Sequence, residues 1–115
     1  MRGMMSEVKI VDDSNFETEV LNEPGIVLVD FGATWCAPCQ RQHPIIEKFA
    51  TETFGKIKVV TVDIDDAPNT VAKLGIRGVP SLYVFENGKQ TGAKVGLTTL
   101  AELNNLLFSK IVKTA

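Results

Sequence analysis

Hydrophobic positions run along this chain in two rhythms, short β-branched runs and longer stretches with apolar residues three and four apart, which predict strands and helices in turn. Residues 8–11 read as a short apolar strand. Ser14 and Glu17 then stand three apart as a helix capping box, predicting a helix to about Leu21. After the turn signal Pro24-Gly25, residues 26–31 are almost continuously apolar, as in a central strand covered on both faces. A second helix opens at Cys36 and Cys39 and keeps helical spacing through Ile45, Ile46, Phe49 and Ala50 up to Gly55, with a kink expected at Pro44. Residues 57–64 give another β-branched strand, and residues 68–74 a short helix stopped by Gly75. Leu82–Phe85 and Gln90–Val95 flank Asn87-Gly88, a strong antiparallel hairpin signal. Thr99 and Glu102 form a second capping box, opening a terminal helix with an apolar stripe at Leu100, Leu103, Leu107 and Ile111.

The order β-α-β-α-β-α-β-β-α implies an α/β fold with a mixed sheet: parallel crossovers first, a hairpin last, and helices on both faces. Active groups in such sheets gather at the carboxyl ends of strands. The two cysteines follow the central strand and fall at that end.

With 115 residues, the chain reads as one domain, residues 1–115, long enough to bury about 65% of its unfolded surface without staples. Hydrophobic residues make up 44% and charged residues 23%, with a formal net charge of −2, which fits an ordinary globular chain. Scattered basic residues and a pI near 5.3 argue against a nucleic-acid partner, since no electrostatic footprint for phosphate is present. Residues 1–5 read as a flexible extension, with Met1, Met4 and Met5 as alternative starts. No secretory leader is recognisable, and no apolar run approaches the roughly 20 residues that span a bilayer, so the expected address is cytoplasmic, with no membrane association.

In a reducing compartment, two cysteines read as catalytic or metal-binding rather than as a framework. A bridge closing on only two intervening residues contributes little to stability, so Cys36-Ala37-Pro38-Cys39 is there for its chemistry. At a helix start, backbone N–H groups and the helix dipole favour a thiolate, and Pro38 in the first turn forfeits no intrahelical bond. Cys36, nearest the helix start and expected to be the more exposed thiol, is the candidate nucleophile; Cys39, one turn inward, is the candidate resolving thiol. Asp30 interrupts an apolar strand where an ionised carboxylate is costly to bury, so its pKa should rise and it can accept the Cys39 proton. The alternative for Asp30 is a strand-end residue capping the next helix. Pro80, by sequence alone, suits a trans proline opening a strand. His43, four residues after Cys39, suits a solvated helix face or, with Arg41, tuning of the local potential; a Cys-His protease or a metal ligand is the alternative.

Trp35-Cys36-x-Pro38-Cys39, Val29-Asp30-Phe31, Gly75-Ile76-Arg77-Gly78-Val79-Pro80-Ser81 and Lys94-Val95-Gly96 stand in an order and spacing that resemble the thioredoxin family, from about Ser6 to Val112. The resemblance implies a thioredoxin fold: three layers, α/β/α, with a central mixed sheet of about five strands flanked by four helices. It implies a thiol-disulfide oxidoreductase that reduces protein disulfides through Cys36 and Cys39, forms a redox-active Cys36–Cys39 disulfide, and is re-reduced by a separate thioredoxin reductase. Asp30 is then the proton acceptor, Ala37 and Pro38 tune the potential, and Trp35, Val79, a cis Pro80 and Gly96 bind substrate. A cis bond would leave the Val79 backbone to pair with an extended substrate segment. Ile76 and Ala93 belong to the same neighbourhood but read as packing or turn residues. No cofactor and no metal are implied, no glycine-rich nucleotide loop appears, and a monomer is expected.

The chain departs from the family pattern at Ala37, where glycine is usual, at Gly32, where tryptophan is usual, and at Gln40 and Thr61, where lysine is common. These departures bear on potential, reductase preference and proton transfer, and remove no reacting atom. Three other functions use the same residues: a disulfide oxidant or isomerase of more oxidising poise, a zinc or iron–sulfur site shared between chains, and a non-catalytic assembly subunit.

Overall fold

Alternation along the strands sorts the apolar side chains onto two faces of one sheet. The computed structural model describes residues 7–114, with side chains through Phe108; the expected extension at residues 1–5 and the side chain at the stripe position Ile111 lie outside that description. Five strands, β1 (Val8–Val11), β2 (Ile26–Gly32), β3 (Ile57–Asp63), β4 (Ser81–Glu86) and β5 (Lys89–Val95), lie in the order β1-β3-β2-β4-β5. β3 pairs parallel with β1 and β2, whereas β4 pairs antiparallel with β2 and β5. The sheet is therefore mixed, with β2 at its centre.

Helices α1 (Ala37–Glu52) and α3 (Leu100–Thr114) cover one face. Ile46, Phe49, Leu103 and Leu107 from these helices pack there on Ile26, Leu28, Val59 and Leu82. The other face carries a π-helical turn (Glu17–Leu21) and α2 (Pro68–Leu74). Phe16, which precedes that turn, and Val20, within it, join Val27, Val29, Phe31, Val60 and Phe85, with Leu74 packed against them. Phe31 meets Tyr83 edge to face at 5.4 Å, a geometry that suits the ring quadrupoles. Asp30 points to the same face as Leu28, beneath α1.

The two capping boxes end differently. At α3, the Thr99 N–H donates to Glu102 Oε1 (2.8 Å) and the Glu102 N–H donates to Thr99 Oγ1 (3.1 Å), the reciprocal pair that the sequence predicts. At Ser14 no box forms. Asp12 takes over: its Oδ1 accepts the Ser14 N–H at 2.8 Å, Asn15 Oδ1 accepts the Asp12 N–H at 2.8 Å, and the first helical turn starts from the Asp12 carbonyl. Short side-chain bonds to nearby backbone out-compete the box, and Phe16 enters the turn with no side-chain cap. β3 stops at Asp63, one residue early, because the Asp63 carboxylate accepts the Asp65 N–H (2.9 Å) and opens a 3₁₀ turn over Ile64–Asp66. α1 runs unbroken through Pro44, at an exposed position.

The hairpin turns on Asn87 and Gly88, both at positive φ. A Cβ at Gly88 would fall on the Leu21 carbonyl, so only glycine fits that approach.

Candidate active site

β2 delivers the chain to the site at its carboxyl end, and α1 leaves from it. Cys36 is the N-cap residue of α1, in extended conformation (φ −101°, ψ 109°), and Pro38 lies in the first turn. The Cys36 and Cys39 sulfurs are bonded to each other, with the two Cα atoms 5.2 Å apart. The Cys39 N–H donates to Cys36 Sγ at 3.2 Å. A first-turn N–H aimed at that sulfur, together with the helix dipole, favours negative charge on Cys36 once the bridge opens.

One expectation does not hold: in the bonded form Cys36 is 6% exposed and Cys39 9%, so Cys36 is not the more open sulfur-bearing residue. Cys36 and Cys39 form a small apolar cluster with Ala33, against which Ile64 and Val79 pack. Gly32 leaves one flank of Cys39 uncovered; a Cβ there would stand 3.4 Å from Cys39 Cβ and 3.5 Å from its Sγ.

On one side of the bridge lies the turn before β4. The Val79–Pro80 peptide is cis, Pro80 is buried and Val79 is half-buried. Gly96 donates its N–H to the Pro80 carbonyl (2.8 Å) and takes φ +100°, a conformation open to glycine. Val95 and Leu97, on either side of it, are exposed, as is Trp35. Trp35 is tethered through its indole N–H to Asp65 Oδ2 at 3.0 Å. Ala37 is exposed and Pro38 half-buried at the helix tip. Ile76 packs on the core of the face that carries α2, but Ala93 is exposed on β5, because it lies on the outer strand of the sheet and packs in neither core cluster.

On the other side is a cleft of about 320 Å³ lined by Asp30, Gly32, Cys39, His43, Thr61 and Asp66, among others. Asp30 is 5% exposed, and burial pushes its pKa up to about 6 against the opposing pull of the Thr61 hydroxyl and the His43 imidazole. Thr61 faces it across the β2–β3 register and donates from Oγ1 to Asp30 Oδ2 at 3.3 Å. His43 is exposed and pairs through Nε2 with Glu47 at 3.1 Å, as a solvated helix residue would. A larger cleft of about 440 Å³, lined by Pro24, Phe54 and Lys56, contains none of the candidate residues. Among the described residues, no group of three or more His, Cys, Asp or Glu side chains stands together as a metal centre requires.

Gln42, Thr98 and Asp65 were not legible as site neighbours. Gln42 carried a faint signal: a polar residue at a position whose helical partners, Ile45, Ile46 and Phe49, are apolar. No helix among the described residues is long and apolar enough to cross a membrane.

The Thioredoxin family model matches residues 7–109. A thioredoxin of Acidithiobacillus ferridurans is 41% identical over 108 residues, 94% of this chain and all of its own length. One from Rickettsia conorii is 47% identical over 87 residues, covering 76% of this chain and 83% of the relative. A chloroplastic M-type thioredoxin of Pisum sativum is 40% identical over 103 residues, 90% of this chain and 60% of the pea protein. With a five-stranded mixed sheet between helical layers and a bonded cysteine pair at the N-terminus of α1, the chain belongs to the thioredoxin family and is a thiol-disulfide oxidoreductase.

Proposed function

We propose that residues 1–115 act as one domain that reduces protein disulfides, with Cys36 attacking and Cys39 resolving. The Cys36 thiolate attacks one sulfur of a substrate disulfide; that S–S bond breaks, one substrate sulfur leaves as thiolate, and a Cys36–substrate mixed disulfide forms. Cys39 then gives its proton to Asp30, directly or through water in the cleft, and attacks Cys36 Sγ. The mixed disulfide breaks, the second substrate thiolate leaves, and two electrons have passed from the dithiol to the substrate. The protein is left bonded at Cys36–Cys39, as in this structure. A separate thioredoxin reductase returns two electrons and two protons.

The observation that carries this reading is the buried Asp30 on the same cleft as Cys39, with a carboxyl pushed up to about 6, which can accept a proton near neutrality. The roles of Cys36 and Cys39 rest on the Cys39 N–H held against Cys36 Sγ and on Cys36 heading the helix. Substrate docks along Trp35, Val79, Pro80 and Gly96, where an extended segment pairs with the Val79 backbone. Ala37 and Pro38, at the helix tip beside the sulfurs, tune the potential. The chain works as a monomer in the cytoplasm, with disulfide-bearing proteins and the reductase as its partners.

Reduction of insulin by wild type, Cys36→Ser and Cys39→Ser tests the assignment. The wild type should outpace a small dithiol of equal concentration, both variants should lose turnover, and Cys39→Ser should accumulate adducts on Cys36. Wild-type activity no better than the small dithiol removes the reading; adducts on Cys39 in Cys36→Ser reverse the roles.

A further inference from the structure

A buried amide links the helix of the cysteines to the loop beside the cis proline. Gln42 lies on α1 one turn beyond Cys39 and is fully buried, in a position that otherwise suits an apolar side chain. Its amide clasps the backbone of a single residue: Oε1 accepts the Thr98 N–H at 2.8 Å and Nε2 donates to the Thr98 carbonyl at 3.0 Å. Thr98 is also fully buried, and its hydroxyl donates to the Gly96 carbonyl (3.1 Å) and accepts from Lys94 Nζ (3.3 Å). Gly96 in turn holds the Pro80 carbonyl at 2.8 Å. An unbroken path of hydrogen bonds therefore runs from α1 through Gln42, Thr98 and Gly96 to Pro80.

Buried backbone groups need partners, and residues 96–99 lie between β5 and α3, outside either ladder. An apolar residue at 42 would leave the Thr98 N–H and carbonyl without this pair, and the loop would have to move to satisfy them. Leu97 and Gly96, the exposed part of that loop, would move with it.

We propose that Gln42 is a positioning residue for protein substrates, fixing the height of the Gly96–Leu97 wall relative to Cys36. The inference rests on the docking surface proposed above. Gln42 spends its hydrogen bonds on Thr98 and not on a sulfur or Asp30, so it governs how a polypeptide seats and not how sulfur exchanges. A small disulfide that reaches Cys36 without the wall is indifferent to it.

Steady-state reduction of insulin and of a small aromatic disulfide should be compared for wild type, Gln42→Met, Gln42→Glu and Leu97→Asp. Gln42→Met keeps the length and removes both bonds. It should raise the KM for insulin about five-fold, as expected for a wall that must be ordered on binding, with kcat and the small-disulfide rate little changed. Gln42→Glu keeps an accepting oxygen for the Thr98 N–H but, when ionised, sets a buried carboxylate against the Thr98 carbonyl, so at pH 8 it should raise that KM at least as much. Equal losses with both substrates, or an unchanged KM for insulin, overturn the inference. If Leu97→Asp raises that KM and Gln42→Met does not, the docking surface stands and the role of Gln42 falls; if neither does, both fall. Should the Gln42 variants fail to fold, hydrogen exchange on the wild type decides: the Thr98 amide should be protected as strongly as the β2 amides, and exchange at loop rates refutes the clasp.

Discussion

The Cys36–Cys39 bridge separates two unlike neighbourhoods. Towards β4 and β5 the surroundings are built from backbone and apolar side chains: the Val79–Pro80 turn, the Gly96 N–H on the Pro80 carbonyl, and exposed Val95 and Leu97. Towards β3 they are built from ionisable and hydroxyl groups: Asp30, Thr61 and His43 around a cleft that reaches Cys39. An apolar surface with backbone edges recognises a polypeptide without reading its sequence. A buried carboxyl beside a polar cleft handles a proton. Under the proposed function, docking and proton transfer fall on opposite sides of one S–S bond, and substitutions on one side should leave the other step intact.

Removing the bridge itself affects both sides at once. Cys36→Ser should lower insulin reduction by roughly 10³-fold or more, in line with loss of a nucleophile that acts as a unit with its partner. Near-wild-type turnover in that variant would break the division at its root.

Asp30→Asn should act on the polar side alone. At pH 7 the resolution of a preformed mixed disulfide should slow by about 10²-fold, the range of a lost general base, while the KM for insulin holds. The same variant should be more stable. Burial holds the native carboxyl at about 6, above its ordinary 3.8, so the native state keeps its proton more tightly than the unfolded chain does. Wild-type stability therefore falls as pH rises from about 4 to about 6 and stays lower above that window. At pH 8 the difference in favour of Asp30→Asn should be about 3 kcal/mol, and below pH 4 it should vanish, as denaturant titration at the two pH values can show. A stability gain independent of pH would contradict the assignment of that cost to the buried charge.

Leu97→Asp should act on the apolar side alone, raising the KM for insulin about five-fold, roughly 1 kcal/mol, with resolution rates unchanged. A slower resolving step in that variant would show that the sides are coupled. Thr61→Val gives an effect of similar size. Loss of its hydrogen bond to the Asp30 carboxylate should lift the midpoint of the resolving step by roughly half to one pH unit, measured from the same pH series.

The polar side was partly legible in the sequence because a charged residue inside an apolar run is conspicuous. Asp30 stood out for that reason, but its partner Thr61 emerges only from the β2–β3 register. The apolar side was legible chiefly through its resemblance to a family, since nothing local in Val79-Pro80 dictates a cis bond. Contacts across long stretches of chain were not legible. Asp13 accepts the Asn69 and Thr70 N–H groups at the start of α2, each at 2.9 Å, and Gln42 finds Thr98 across a similar separation. Local pairing signals were themselves divided: Thr99 and Glu102 form their reciprocal pair, whereas Asp12 and Asn15 capture the N–H groups near Ser14. The burial of both cysteines was not legible either, because Val79 and Ile64, which pack against the pair, come from distant stretches of the chain.

The division between the two sides is tested most directly by following the release of substrate from a preformed Cys36 mixed disulfide between pH 4.5 and 8, in wild type and in Asp30→Asn. The wild-type rate should rise through an inflection near the Asp30 midpoint of about 6, and Asp30→Asn should be slow with that inflection gone. An inflection of the same size and position in both proteins would contradict Asp30 as the proton acceptor for Cys39.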